Sequence, residues 1–308
     1  MLAKKNLFFL LGFLILGFIT QFFFNSYIQT LVLVFMIMSM SAMALNLVMG
    51  VANQFSLGSA GFVALGAYTS AFLTKELHLH WSFIPLTALI GGLVAGLAGY
   101  LVALPSFRLK GDYLAIVTLG FAEIVRVIFL NWDRVGGARG YAAIPQWPNF
   151  LSGFLIIGCF FILTFLCLYH LKISWFGRNL WAINENEIAA EVMGTPVDKN
   201  KRQAFMISSF FTGVAGALYA HNLAYISPGS FGFFMTVNIL VVTVLGGLGS
   251  ISGTIVSAAI MTVLPEVLRS LPTGDVDIRM IVFPILLVLI MILRPKGLFG
   301  RKEIWSLK

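Results

Sequence analysis

Long, uninterrupted apolar runs constrain this chain more than any other feature of its sequence. Stretches such as 27–49, 82–104 and 151–171 contain no Asp, Glu, Lys or Arg. Each reaches the roughly 20 residues that a helix needs to cross the hydrocarbon core of a bilayer. Of the 308 residues, 59% are hydrophobic and 10% are charged, against roughly 25% charged in a soluble domain. So little charge could not cover a soluble protein of this size. The runs lack the period-2 alternation of barrel strands, which excludes a transmembrane β-barrel. The expectation is an all-α polytopic membrane protein forming one transmembrane domain over 1–308, with about ten membrane-embedded segments including discontinuous helices. The segments read from the sequence are 7–24, 27–49, 55–74, 82–104, 113–131, 151–171, 204–225, 235–247, 251–268 and 279–294.

The net charge of +8 has the placement of a topology signal, not of a nucleic-acid footprint. Basic residues crowd the N-terminus (Lys4, Lys5), the loops 105–111 and 172–203, and the C-terminus, while loops 75–81, 132–150 and 226–234 are weakly charged. Positive loops stay cytoplasmic during insertion, so both termini are expected in the cytoplasm. Residues 4–19 have the build of a signal peptide but no A-x-A site, and Phe22-Phe23-Phe24 prolongs the run; a retained first helix is expected. Cys159 and Cys167 share one apolar run, with no signature of a disulfide, metal site or nucleophile. The four histidines likewise have no metal-ligand spacing and read as interfacial residues.

Two polar, small-residue stretches break the apolar pattern. Loop parity requires 235–268 to enter the membrane and return, and Gly246-Gly247-Leu248-Gly249-Ser250 supplies the break, since clustered glycines disfavour helix. The earlier stretch is Asn53-Gln54-Phe55-Ser56-Leu57-Gly58-Ser59-Ala60-Gly61. Leu-Gly-Ser recurs at 57–59 and 248–250, a faint internal repeat of the kind that places transporter sites at paired broken helices. A path for a solute of zero net charge needs neutral polar groups and no fixed charge. Gln54, Ser56, Gly58, Ser59 and Gly61 in one stretch, with Gly246, Gly247, Gly249, Ser250 and Ser252 in the other, meet that description. Helices beginning there would present N–H groups to a carboxylate. The same residues also suit close helix packing.

Within 172–203, residues Phe176 to Met193 read as one amphipathic helix, ended by Gly194 at C′ with Pro196 beyond it. Trp181, Ile188 and Val192 fall on one face. The polar positions carry Glu185, Glu187 and Glu191 in place of the Lys and Arg of a lipid-surface helix, which points to a cytoplasmic protein partner. Ala189-Ala190, three residues, then Gly194 resembles the E-A-A-x-x-x-G signature of ABC importer permeases, with Ile188 in the place of its Glu and Glu187 one position earlier. Several blocks extend the resemblance: Asn46 to Gly50 with Gln54 to Gly58, Gly111 to Gly120, Glu185 to Glu191, Gly213 to His221, Ile226-Ser227-Pro228, Leu245 to Ser250, and Arg294 to Leu298. Together they resemble the LivM-type permeases of branched-chain amino acid ABC importers over roughly 35–300. Where that family usually has Gly-Tyr-x-Gly-Gln, this chain has Gly50-Val51-Ala52-Asn53-Gln54, so Asn53 stands in for a glycine.

The resemblance implies ATP-driven import of branched-chain amino acids across a bacterial inner membrane. It implies a second, LivH-type permease, two cytoplasmic ATP-binding subunits and a periplasmic binding protein. Residues Glu187, Ile188, Ala189, Ala190, Glu191 and Gly194 would then couple to the ATPase. Urea, short amides or other amino acids are alternative cargoes in the same class. No G-x-x-x-x-G-K-[ST] occurs, so ATP chemistry falls to a partner, and no enzyme-like constellation or cofactor motif is evident. Glu123 and Arg126, the one acid and base deep in an apolar segment, sit i,i+3 on one face and are expected to pair; a transport role is the alternative. A self-sufficient secondary transporter would ordinarily need more intramembrane carboxylates than Glu123 alone.

Overall fold

The computed structural model describes residues 25–106, 112–269 and 297–303. The expected segments 7–24 and 279–294, most of loop 105–111 and both chain ends lie outside the described residues. Among the described residues the chain is helical, with one isolated antiparallel bridge between Tyr141 and Ile226. We number the α-helices α1 Ser26–Asn46, α2 Ser59–Glu76, α3 Ile84–Ser106, α4 Asp112–Leu130, α5 Phe150–Ile173, α6 Trp175–Glu185, α7 Glu187–Val192, α8 Val197–Leu223, α9 Phe233–Gly246 and α10 Ile251–Arg269. A π-helical turn, Leu47–Val51, extends α1.

Among the described residues five spans are long and apolar enough to cross a membrane: Ser26–Val51, Trp81–Leu104, Tyr113–Leu130, Phe150–Ile173 and Val197–Leu223. Phe233–Gly246 and Ile251–Val267 are apolar but shorter. The expectation of about ten membrane-embedded segments is met in its coarse form, a helical chain with several apolar spans. Helix α2 is not among the candidate spans because its 18 residues end on Lys75 and Glu76 and include several Gly, Ser and Thr. Those small residues serve packing instead. Gly66, Gly91, Gly213 and Gly216 bring the backbones of α2, α3 and α8 together so closely that an added Cβ on any of them would strike a neighbouring carbonyl or backbone atom. In hydrocarbon, where burial of apolar surface contributes little to helix association, such close approach is what holds helices together.

Helix α8 is the central post, flanked by α1, α2 and α3. Its N-terminal turns reach into the basic segment 172–203, so it begins at Val197, earlier than the apolar run at 204 suggested. The two ends of the bundle have different chemistry. At one end lie α6, α7, the turn between α9 and α10, and the segment 297–303. At the other, Tyr141 pairs with Ile226, Lys75 Nζ donates to the Ala142 carbonyl at 2.8 Å, and Tyr27 donates to Glu266 at 2.6 Å. The basic and weakly charged loops thus segregate as the charge pattern requires.

His221 departs from expectation. It is fully buried, its Nδ1 donating to the Pro145 carbonyl at 2.7 Å and its Nε2 lying 2.9 Å from Ser70 Oγ. The ring ties the 132–148 loop to α2 and α8 rather than sitting at a lipid interface.

Candidate transport path and coupling surface

The first broken stretch starts where α1 ends. Asn46 lies on the buried face of α1 and the π-turn carries the chain past it to Ala52. Asn53 then takes φ 52°, the left-handed region that Asn tolerates better than other side chains with a Cβ. Asn53 thus takes a left-handed conformation that glycine adopts freely. Asn184 on α6 donates to the carbonyls of Gly50 and Val51 at 2.9 and 3.3 Å, so the turn is held from outside as well.

Beyond Asn53 the chain is non-helical until Ser59. Leu57 N–H donates to Thr118 Oγ1 on α4 at 2.9 Å, and Ala60 N–H donates to Thr236 Oγ1 on α9 at 3.2 Å. Ser56 Oγ accepts from Gly58 N–H at 3.4 Å. Gly58 and Gly61 lie flat on α4; a Cβ on Gly61 would come within 2.8 Å of the Ala122 Cα. Ser59 is buried with them. At the start of α2 the Ala60 N–H is thus engaged by a hydroxyl, and the Gly61 and Phe62 N–H groups bond to the Gly58 carbonyl. Gln54 is 3% exposed, and neither its Oε1 nor its Nε2 has a hydrogen-bond partner. A buried carboxamide without partners costs about 1–3 kcal/mol, so the Gln54 amide adds no stability to the fold.

The second stretch is a helical hairpin at the basic end. Gly247 (φ 110°) and Gly249 (φ 95°) adopt conformations that disfavour any side chain, while Gly246 packs on Thr254 of the returning helix. Asn46 closes the turn: Nδ2 donates to the Gly247 and Ser250 carbonyls at 3.1 Å each and to Thr254 Oγ1 at 2.6 Å, and Oδ1 accepts from Gly249 N–H at 2.6 Å. What meets this turn is Gly50 of the π-turn, ahead of the first broken stretch, packed against Gly249. Gly58 has φ −93° and Gly249 φ 95°, so the repeated tripeptide is not a repeated structure.

The start of α10, read from sequence as a carboxylate holder, already holds one. Glu303 accepts from Ile251 N–H at 3.1 Å and from Ser252 N–H at 2.9 Å, and Ser252 Oγ donates to it at 2.5 Å. Ser250 Oγ donates to the Lys302 carbonyl at 2.7 Å. Ser250 and Ser252 thus bond to residues 302 and 303 of the chain's own C-terminal segment.

The helix expected over 176–193 is two helices. Asn186 leaves the helical region (φ −157°, ψ 108°) and its side chain caps α7 by accepting from Ala189 N–H at 3.0 Å. Gly194 closes α7 with φ 83° and open space around it, the C′ role its position suggested. The break rotates α7 relative to α6, so Trp181 no longer shares a face with Ile188 and Val192. Trp181 packs inward against Gly249, whereas Ile188, Val192 and Met193 are 72%, 81% and 85% exposed. Ala190 instead points into the protein at 5% exposure. Glu187 pairs with Lys201 at 2.8 Å, and Ala189 and Glu191 are exposed. The outward surface at this end is an apolar tip with an acidic margin.

Glu123 and Arg126 pair at 2.7 Å, each side chain about one-third exposed, and Arg126 lies beside Gly232 in the loop before α9. They form a local pair toward the end opposite α6 and α7. Cys159 and Cys167 are free and exposed on α5. Among the described residues no group of three or more His, Cys, Asp or Glu could hold a metal ion. The residues missed from sequence are Asn46, Thr118, Lys172, Asn184, Thr236 and Glu303. Asn46 carried a signal, as a lone amide on an apolar helix; Glu303 carried a weaker one, as the single acid in the basic C-terminal tail.

Residues 27–291 match the family described as branched-chain amino acid transport system / permease component. The chain is 35% identical over 303 residues to the high-affinity branched-chain amino acid transport system permease protein LivM of Escherichia coli, covering 88% of this chain and 69% of that protein. It is 28% identical over 242 residues to a probable LivM of Methanocaldococcus jannaschii, covering 71% and 69% of the two chains. It is also 23% identical over 283 residues to the LivH permease of Salmonella typhimurium, covering 85% and 91%. No solved structure matches. With the apolar helices, the glycine-broken stretches and the exposed tip at the basic end, these likenesses show that the chain belongs to the family of branched-chain amino acid transport permeases.

Proposed function

We propose that the chain is one transmembrane half of an ATP-binding-cassette importer that moves branched-chain amino acids into the cytoplasm. It would work beside a second, LivH-type permease, with two ATP-binding subunits on the basic side and a periplasmic binding protein on the other. The observation that carries this reading is the tip of α7. Three large apolar side chains exposed together at the charged end of a membrane bundle suit a protein groove better than water. Both termini would be cytoplasmic in a bacterial inner membrane, with the whole chain acting as one permease domain. ATP hydrolysis would shift α6 and α7 and rock the bundle about a path past Gln54, whose unpartnered carboxamide suits a zwitterionic, net-neutral solute.

Uptake tests the cargo. In cells lacking and then regaining this gene, labelled leucine uptake should return and be competed by isoleucine and valine but not by urea. Competition by urea alone would move the cargo elsewhere within the class. Orientation is tested by single cysteines in a Cys159→Ala, Cys167→Ala background: Ala138→Cys should label from outside intact cells, and Met193→Cys and Lys302→Cys should not.

A further inference from the structure

Residues 297–303 form a strap across the hairpin of α9 and α10, and it serves both helix ends at once. Leu298 N–H donates to the Leu245 carbonyl at 2.8 Å and Phe299 N–H to the Gly246 carbonyl at 3.4 Å, engaging the last carbonyls of α9. Four residues on, the Glu303 carboxylate engages the first N–H groups of α10. Orphan carbonyls end one helix and orphan N–H groups start the next, and the strap meets the first with donors and the second with an anion, as the helix dipoles favour.

The same strap grips the coupling helices. Arg301 pairs with Glu185 on α6, and its guanidinium lies 5.2 Å from the centre of the Trp181 ring. Lys172, at the end of α5 just before α6, donates to Glu303 at 2.5 Å and to the Gly249 carbonyl at 2.5 Å. The Lys172 and Glu303 side chains are 10% and 9% exposed. A buried ion pair whose partners also hold a helix start and a glycine turn has few alternative arrangements, because removing either partner strands a charge.

We propose that Glu303 is the positioning residue through which movement of α6 and α7 reaches the hairpin of α9 and α10. The strap acts as a rigid link, with Arg301 at the input and Glu303 at the output. This inference rests on the reading of α7 as the ATPase contact. It assigns a mechanical role to a tail that sequence alone presents as a basic extension.

The test uses the assembled complex of both permeases, the ATP-binding subunits and the binding protein in proteoliposomes. Glu303→Gln keeps the side chain's size and removes its charge. Leucine imported per ATP hydrolysed should fall by about tenfold or more, the scale expected when a distant contact misplaces a working element, while ATP hydrolysis continues. ATP should also change thiol labelling of Leu248→Cys in the Cys159→Ala, Cys167→Ala background but not when Glu303→Gln is added to it. An unchanged import ratio together with an unchanged labelling response would overturn the link.

Should Glu303→Gln fail to assemble, Leu245→Cys with Leu298→Cys decides. Oxidising that pair should preserve uptake, because the strap and hairpin move together; uptake that stops on oxidation and returns on reduction would show that the strap must detach. A native complex that hydrolyses ATP without importing leucine faults the cargo, leaving the Leu248 labelling to decide the link.

Discussion

Asn46 Oδ1 accepts a 2.6 Å hydrogen bond from Gly249 N–H, joining the end of α1 to a turn 203 residues away. The Nδ2 of the same amide binds three further oxygens on that turn and on α10, so one side chain closes a hairpin that has no helix continuity of its own. Asn46→Ala should cost about 2–4 kcal/mol, since it strands several buried backbone groups. Thermal unfolding in detergent checks this, and a melting curve matching the native protein would deny Asn46 that role. Gly50→Ala should damage the same contact, because a Cβ there overlaps the Gly249 nitrogen.

Gln54 makes the opposite prediction. Its buried carboxamide has no partner, so Gln54→Leu should leave stability unchanged or raise it by about 1 kcal/mol. Leucine uptake should nevertheless fall by about tenfold, the loss of one polar contact to a bound solute. Normal uptake by a stable Gln54→Leu protein would remove Gln54 from the path.

On α7 two neighbouring residues should behave differently. Ile188 is exposed and Ala190 is buried. Ile188→Glu should therefore insert and accumulate normally yet lose uptake and co-purification of the ATP-binding subunits. Ala190→Glu should reduce accumulation itself, because it forces a charge into this protein's own interior at a cost of several kcal/mol, roughly 3 or more. Equal effects of the two on membrane abundance would contradict the orientation of α7.

These elements divide what was legible in the sequence from what was not. The long helices were legible because their apolar runs match the bilayer, and the hairpin break was legible in its glycines. The split at Asn186 was not, since a helical pattern continues through it and only the capping bond to Ala189 reveals it. The inward turn of Ala190 follows from that split. Glu303 was hidden for another reason: its partners Lys172 and Ser252 lie 131 and 51 residues away, beyond any local pattern. The match of Asn53 to a glycine position became intelligible only with its positive φ.

The strap should also respond to pH in a defined direction. Burial works to raise the Glu303 pKa, but hydrogen bonds from Lys172 and Ser252, with the lysine's charge, outweigh it and hold the carboxyl below its ordinary value. A depressed carboxyl stabilises the fold above its unfolded pKa, and that contribution is lost as pH falls through the folded value. The stability difference between the native protein and Glu303→Gln should thus be constant above about pH 5 and shrink in more acidic solution. A difference that grows on acidification would contradict the assigned ion pair.

The most direct measurement is leucine uptake by proteoliposomes in which each component can be omitted. With this chain, a LivH-type permease, the ATP-binding subunits and the binding protein all present, uptake should require ATP on the side of α7 and vanish when this chain is left out. Uptake of leucine by this chain alone, driven by an ion gradient without ATP-binding subunits, would contradict the account.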